Sequence, residues 1–245
     1  MIIELIALGI GVGALSGFFG IGGGTVSVPL LMSLGFGIKE AIGISVMQMV
    51  AGSLMAAWVH YKKKTYAIRD IKYFGFGGFF GAIIGAVLVK VLDETLLEWA
   101  FLSIVAFTLV RMAISLPQPN RPEIVNRPLY AVIGSGIGLF SGMLGVGGAI
   151  LMTPILVVFM GFELKKASAI GLFFVIFTSV SSFVTFGLLG MLQWQAGSIM
   201  AISSLFGVGL GIYLVHKTQL NHYKRVLVAF YSIIFCLAAY KIIVG

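Results

Sequence analysis

Residues 5–38 run without a single charged side chain, and residues 128–162 do the same. As one straight helix the first run would reach ~51 Å at ~1.5 Å per residue, against a hydrocarbon core of ~30 Å. In the middle of each run lies a glycine-rich segment, "GFFGIGGGTVSVPLL" (Gly17–Leu31) and "GMLGVGGAILMTPIL" (Gly142–Leu156). Three adjacent glycines, Gly22, Gly23 and Gly24, strongly disfavour a continuous helix. Each run is therefore expected to break there, as a helical hairpin or a broken helix.

The two segments belong to a longer duplication. A shift of 125 positions superposes Gly9, Gly11, Gly13, Ser16, Gly17, Gly20, Gly22, Gly23, Pro29 and Leu31 on Gly134, Gly136, Gly138, Ser141, Gly142, Gly145, Gly147, Gly148, Pro154 and Leu156. With one residue inserted the match continues, pairing Gly35 with Gly161, Lys39 with Lys165, Ala41 with Ala167, Gly81 with Gly207 and Gly85 with Gly211. Glycines alone could align by chance; a gapless run that keeps a serine and a proline in register is hard to dismiss. The reading is two homologous halves, residues 1–115 and 129–245, joined by a proline-rich linker at 116–128.

The chain is 60% hydrophobic and only 10% charged. A soluble domain of this size could not hide so much apolar surface. Further spans are expected near 41–60, 71–91 and 97–115 in the first half, and near 168–188, 197–215 and 226–243 in the second. The fold class is thus an all-α polytopic membrane protein, with three further spans beside each glycine-rich unit. "MIIELIALG" carries an acid where a secretory signal would carry a base, so it reads as the start of a transmembrane segment. The net charge of +8 lies in islands flanking apolar spans. That favours contact with an anionic leaflet over nucleic acid.

Loop charge orients the halves. The basic islands are His60–Arg69, the linker with Arg111, Arg121 and Arg127, Lys165–Lys166, and His216–Arg225; the loop with Asp93, Glu94 and Glu98 is acidic. If each glycine break turns the chain back, all four basic islands fall on one face, with both chain ends on the other. The positive-inside rule then favours inverted repeats in a cytoplasmic (inner) membrane.

Glycine has two separable roles. Gly9, Gly13 and Gly17, like Gly134, Gly138 and Gly142, are spaced to admit a close helix neighbour, as are Gly81/Gly85 and Gly207/Gly211. The break glycines differ, because the helix that begins after them aims unpaired N–H groups back into the break. Such a start can hold an anion without a cationic side chain. The candidate substrate-binding residues are Gly20, Gly22, Gly23, Gly24, Thr25, Ser45 and Gln48 in the first half. Their second-half counterparts are Gly145, Gly147, Gly148, Ala149 and Ser168. Ser16, Ser27, Ser141, Thr153, Thr178, Ser179, Ser181 and Ser182 could line a pathway. The bland alternative is a hairpin used only for packing, with hydroxyls bonded to their own backbone.

No acid–base pair, nucleophile constellation or Cys/His metal spacing is visible, so neither catalysis nor a cofactor is expected. The string "GIGGGT" lacks the Lys-Ser/Thr of a nucleotide loop.

The paired motifs, each followed by "KEAIGIS" or "KKASAIG", resemble the sulfite exporter TauE/SafE family of membrane permeases over essentially the whole chain. The resemblance implies movement of sulfite, a sulfonate or a related organic anion across the cytoplasmic membrane. It places the site around Gly20, Gly22, Gly23, Pro29 and their mates. Where the family often carries Thr-Ser-like residues, this chain has Ile44-Ser45 and Ile170-Gly171. The expected function is an anion exporter working by alternating access. An anion channel and a non-transporting membrane scaffold are the alternatives.

Overall fold

The computed structural model describes residues 1–19, 22–62, 71–113, 123–124, 126–215, 232–233 and 235–240. Its regular elements are helices: α1 (Ile2–Phe19), α2 (Gly24–Ser33), α3 (Ile38–Lys62), α4 (Ile71–Val91), α5 (Glu94–Ala113), α6 (Arg127–Leu144), α7 (Ala149–Met160), α8 (Leu164–Leu188) and α9 (Trp194–Val215). Stretches of α3, α4, α8 and α9 are long and apolar enough to cross a bilayer. The chain is an all-α polytopic membrane protein. The span expected near 226–243 falls largely outside the described residues; residues 232–233 and 235–240 within it are helical.

Both uncharged runs break at their glycines. The first gives α1 and α2, and the second gives α6 and α7. After each short second helix the chain reverses through a left-handed glycine. Gly35, at φ +96°, lets its own N–H reach Met32 O and that of Phe36 reach Leu31 O at 3.2 Å. This pairing satisfies the last carbonyls of α2 and turns the chain into α3. Gly161 does the corresponding work between α7 and α8, at φ +72°. Connections this short make α2 and α3, and likewise α7 and α8, antiparallel neighbours. The Asn126 side chain accepts the N–H of Leu129 at 3.2 Å, and Pro128 fits the first turn, so α6 begins at Arg127.

Small residues decide which helices meet. A β-carbon at Gly13 or Gly17 would overlap the carbonyl oxygen of Ser204 or Val208, and one at Gly211 would overlap that of Ala14. Position advances together on both helices, so α1 and α9 pack parallel with backbones in contact. In the same way Gly77, Gly81 and Gly85 of α4 meet the carbonyls of Ala131, Ser135 and Leu139 on α6. From the facing side, Gly138 and Gly142 of α6 meet those of Gly78 and Ala82. Close approach of this kind is how apolar helices associate where lipid removes the hydrophobic drive. The packing role expected for these glycines is what is found, but their partners lie in the other half of the sequence.

The centre is the crossing of α3 and α8. A β-carbon at Gly43 would lie 2.7 Å from Met191 O, just past the end of α8, while Ser53 Oγ lies 3.4 Å from Ser179 Oγ. Moving forward on α3 therefore moves backward on α8, so the two are antiparallel. α4 runs parallel to α8: Gly75 packs on the Phe177 ring, and Ser181 Oγ donates to Phe79 O at 2.6 Å.

The bundle ends differ in charge. Gln193 Nε2 donates to Glu40 Oε1 at 3.0 Å, and the Glu94 carboxylate lies near Gly37, so these residues share one end with Asp93. At the other end Lys166 pairs with Glu123 at 2.6 Å, and the Arg127 guanidinium lies 5.4 Å from the Tyr73 ring centre. The separation is not absolute, since Lys39 and Lys90 stand at the acidic end. Most residues of the basic islands at 60–69 and 216–225 lie outside the described residues.

Candidate functional site

Gly22 and Gly23 have φ of +83° and +78°, and Gly147 and Gly148 have +78° and +76°. L-residues with a β-carbon resist this left-handed region, and two in succession all but require glycine. The motif thus encodes a chain reversal inside the bundle. Gly23 and Gly148 are the N-caps of α2 and α7, and neither helix start has a side-chain cap. The first N–H groups of each helix have no intrahelical acceptor, by the geometry of any helix start. Pro29 and Pro154 lie inside these helices, so the carbonyls four residues earlier, on Thr25 and Ile150, lose their usual N–H partners.

The two breaks abut. A β-carbon at Gly24 would overlap the carbonyl oxygen of Gly145, the left-handed cap of α6. Ser45 Oγ donates to that same oxygen at 3.0 Å, and Thr178 Oγ1 lies 3.2 Å from Gly147 O. One side chain touches both breaks: Val175 Cγ1 is 3.0 Å from the β-carbon position of Gly22 and 3.2 Å from that of Gly147. Met49 Sδ also lies between them, 2.6 Å from the position at Gly24 and 2.9 Å from that at Gly147.

Around the first break the side chains are polar and sealed from outside, with Thr25, Ser27, Ser45 and Gln48 each 0% exposed. The Gln48 amide lies against Gly23, its Oε1 and Nε2 at 2.8 and 3.0 Å from where a β-carbon would sit. Ser27 Oγ has Gly23 O at 3.0 Å and Gln48 Oε1 at 3.2 Å, so its single proton serves one of them. Gln48 Nε2 and Thr25 Oγ1 are buried without any hydrogen-bond partner. An orphaned buried polar group costs about 1–3 kcal/mol. Two of them at one helix start mark a place where a ligand oxygen would be well received.

Of the residues expected from sequence, Gly22, Gly23, Gly24, Thr25, Ser45, Gln48, Gly145, Gly147, Gly148 and Ala149 come together around the paired breaks. Gly20 lies outside the described residues. Ser168 is on α8, but its side chain is not described. Met49, Val175 and Phe174 escaped the sequence reading, because apolar residues in an apolar span carry no signal of their own. No cluster of three or more His, Cys, Asp or Glu residues occurs among the described residues.

Paired interrupted helices whose starts converge inside an all-α bundle define a polytopic membrane protein of the broken-helix type. A family model described as "Sulfite exporter TauE/SafE" matches residues 5–240, and the chain belongs to that family. A "Probable membrane transporter protein" of Haemophilus influenzae is 27% identical, with 87% of this chain and 86% of that protein covered. "Probable membrane transporter protein YunE" of Bacillus subtilis is 26% identical over 88% and 89%. The similarly named MJ0441 of Methanocaldococcus jannaschii is 26% identical over 91% and 90%. No solved structure matches the chain.

Proposed function

We propose that this chain is an exporter of a small anion, sulfite or an organic relative of it, and that it works by alternating access in the cytoplasmic membrane. The observation that carries the reading is the pair of unpaired buried donors, Gln48 Nε2 and Thr25 Oγ1, at the start of α2. With the N–H groups of that helix start that have no intrahelical acceptor, they offer several donors and no formal charge. A neutral site binds modestly and releases readily, which suits a carrier. With a negative interior, each exported negative charge gains ~2.3 kcal/mol per 100 mV, so efflux needs no chemical coupling.

In this reading the halves, 1–115 and 129–245 about the 116–128 linker, are inverted repeats. The antiparallel crossing of α3 and α8 supports it, as does the exchange of partners that pairs α1 with α9 and α6 with α4. Burial of both breaks favours a carrier caught closed over a channel. The test is flux in proteoliposomes of labelled sulfite, sulfate and a small sulfonate under an imposed potential. Saturable, potential-driven movement that is lost in Gln48→Met supports the proposal. Absence of flux for all three, with folded protein, argues for the scaffold reading instead.

A further inference from the structure

The two breaks share a backbone and differ in chemistry. Gln48 and Phe174 occupy the same position of the duplicated sequence, as do Met49 and Val175. At Gly23 the neighbouring group is the Gln48 amide; at its mate Gly148 it is the Phe174 ring, with Cε1 2.7 Å from the β-carbon position. Thr25 and Ser27 correspond in the same way to Ile150 and Met152. The first break therefore presents two unpaired buried donors. The second presents an aromatic ring with Ile137 Cγ2 at 3.0 Å from the same position. Val175 and Met49 stand between them.

Resting on the anion-carrier reading above, we propose that the site is one-sided and takes a monoanion bearing one apolar substituent, bound in a single orientation. The charged oxygens sit at Gly23, Thr25 and Gln48, and the substituent passes Met49 and Val175 toward Phe174 and Ile150. An anionic oxygen on the far side would face a ring and alkyl groups beside the N–H groups of the α7 start, with no unpaired side-chain donor among the described residues to replace its water. Sulfate, or any ligand with a second anionic group, is therefore selected against. Gln48 and Phe174 are the specificity-determining pair.

The experiment is calorimetric titration of the purified full chain, in detergent, with sulfate and with methane-, ethane- and propanesulfonate. Affinity should rise roughly three- to fourfold per added methylene, the burial value of a methylene read as binding, with sulfate weakest. Phe174→Leu, which keeps the wall apolar, should preserve the order. Phe174→Gln should flatten the series and raise sulfate at least tenfold relative to propanesulfonate. If the sulfonates bind without a trend, or sulfate binds tightest, the one-sided site is overturned while the anion-carrier reading stands. If nothing binds to folded protein, both fall. Should Phe174→Gln fail to fold, the wild-type series with Phe174→Leu still decides.

Discussion

Ser53 Oγ of α3 lies 3.4 Å from Ser179 Oγ of α8, and the two serines are 126 residues apart, the offset of the later part of the duplication. A residue touches its own counterpart only where the two copies meet on a local two-fold axis. Because α3 and α8 cross antiparallel there, such an axis would lie across the helices, in the plane of a membrane. That is the arrangement expected of inverted repeats.

The double variant Ser53→Cys/Ser179→Cys, in a Cys236→Ser background, should therefore cross-link on mild oxidation. With a protease site inserted in the 116–128 linker, the cleaved halves should migrate together on a gel until reductant is added. Halves that separate without reductant would show that the two serines do not meet.

The glycines of α1 make a contrast within one helix. A β-carbon at Gly13 would overlap the Ser204 carbonyl, whereas nothing lies within 4 Å of one at Gly11. Gly13→Ala must push α1 off α9 and should cost about 1–3 kcal/mol, the scale of overpacking. Gly11→Ala should stay within about 0.5 kcal/mol of wild type, as surface changes do. Gly138→Ala and Gly136→Ala should repeat the contrast on α6. Thermal unfolding in detergent reads all four.

Much of this is legible in the amino-acid sequence alone. The places of both breaks follow from adjacent glycines, and the packing glycines follow from their spacing of four. What stayed hidden was partnership. Nothing in the α1 sequence says that Gly13 meets Ser204 of α9, on the far side of the duplication, because backbone-to-backbone contact leaves no complementary side chain to read. Phe174 was hidden for another reason. In an apolar span it is unremarkable until the repeat register sets it opposite Gln48. The anion-site expectation for Gln48 and Thr25 came from polarity alone; that their donors are unpaired is a fact of packing.

Gly23 and Gly35 separate backbone strain from site geometry. Both have positive φ, but a β-carbon at Gly35 meets open space, while one at Gly23 would lie 2.8 Å from Gln48 Oε1. Gly35→Ala should lose roughly 1–2 kcal/mol of stability, the left-handed penalty for an L-residue, and keep transport. Gly23→Ala should suffer the same strain and also displace the amide, so transport should fall at least tenfold in protein that still assembles. Equal flux from the two folded variants would remove Gln48 from the site. Size-exclusion profiles with proteoliposome flux make the comparison.

Orientation can be read from two exposed positions at opposite ends of the bundle. Gln195 lies in the first turn of α9 at the end holding Glu40 and Asp93, and Glu163 precedes α8 at the end holding Lys166 and Arg127. Basic loops are retained on the cytoplasmic side, so the Glu163 end should face inward and the Gln195 end outward. In a Cys236→Ser background, a membrane-impermeant maleimide added to intact cells should label Gln195→Cys and leave Glu163→Cys unmodified until the membrane is opened. The reverse pattern would invert the protein. The potential would still oppose inward movement of an anion by ~2.3 kcal/mol per charge per 100 mV, whichever way the chain faces, so the labelling reports orientation independently of flux.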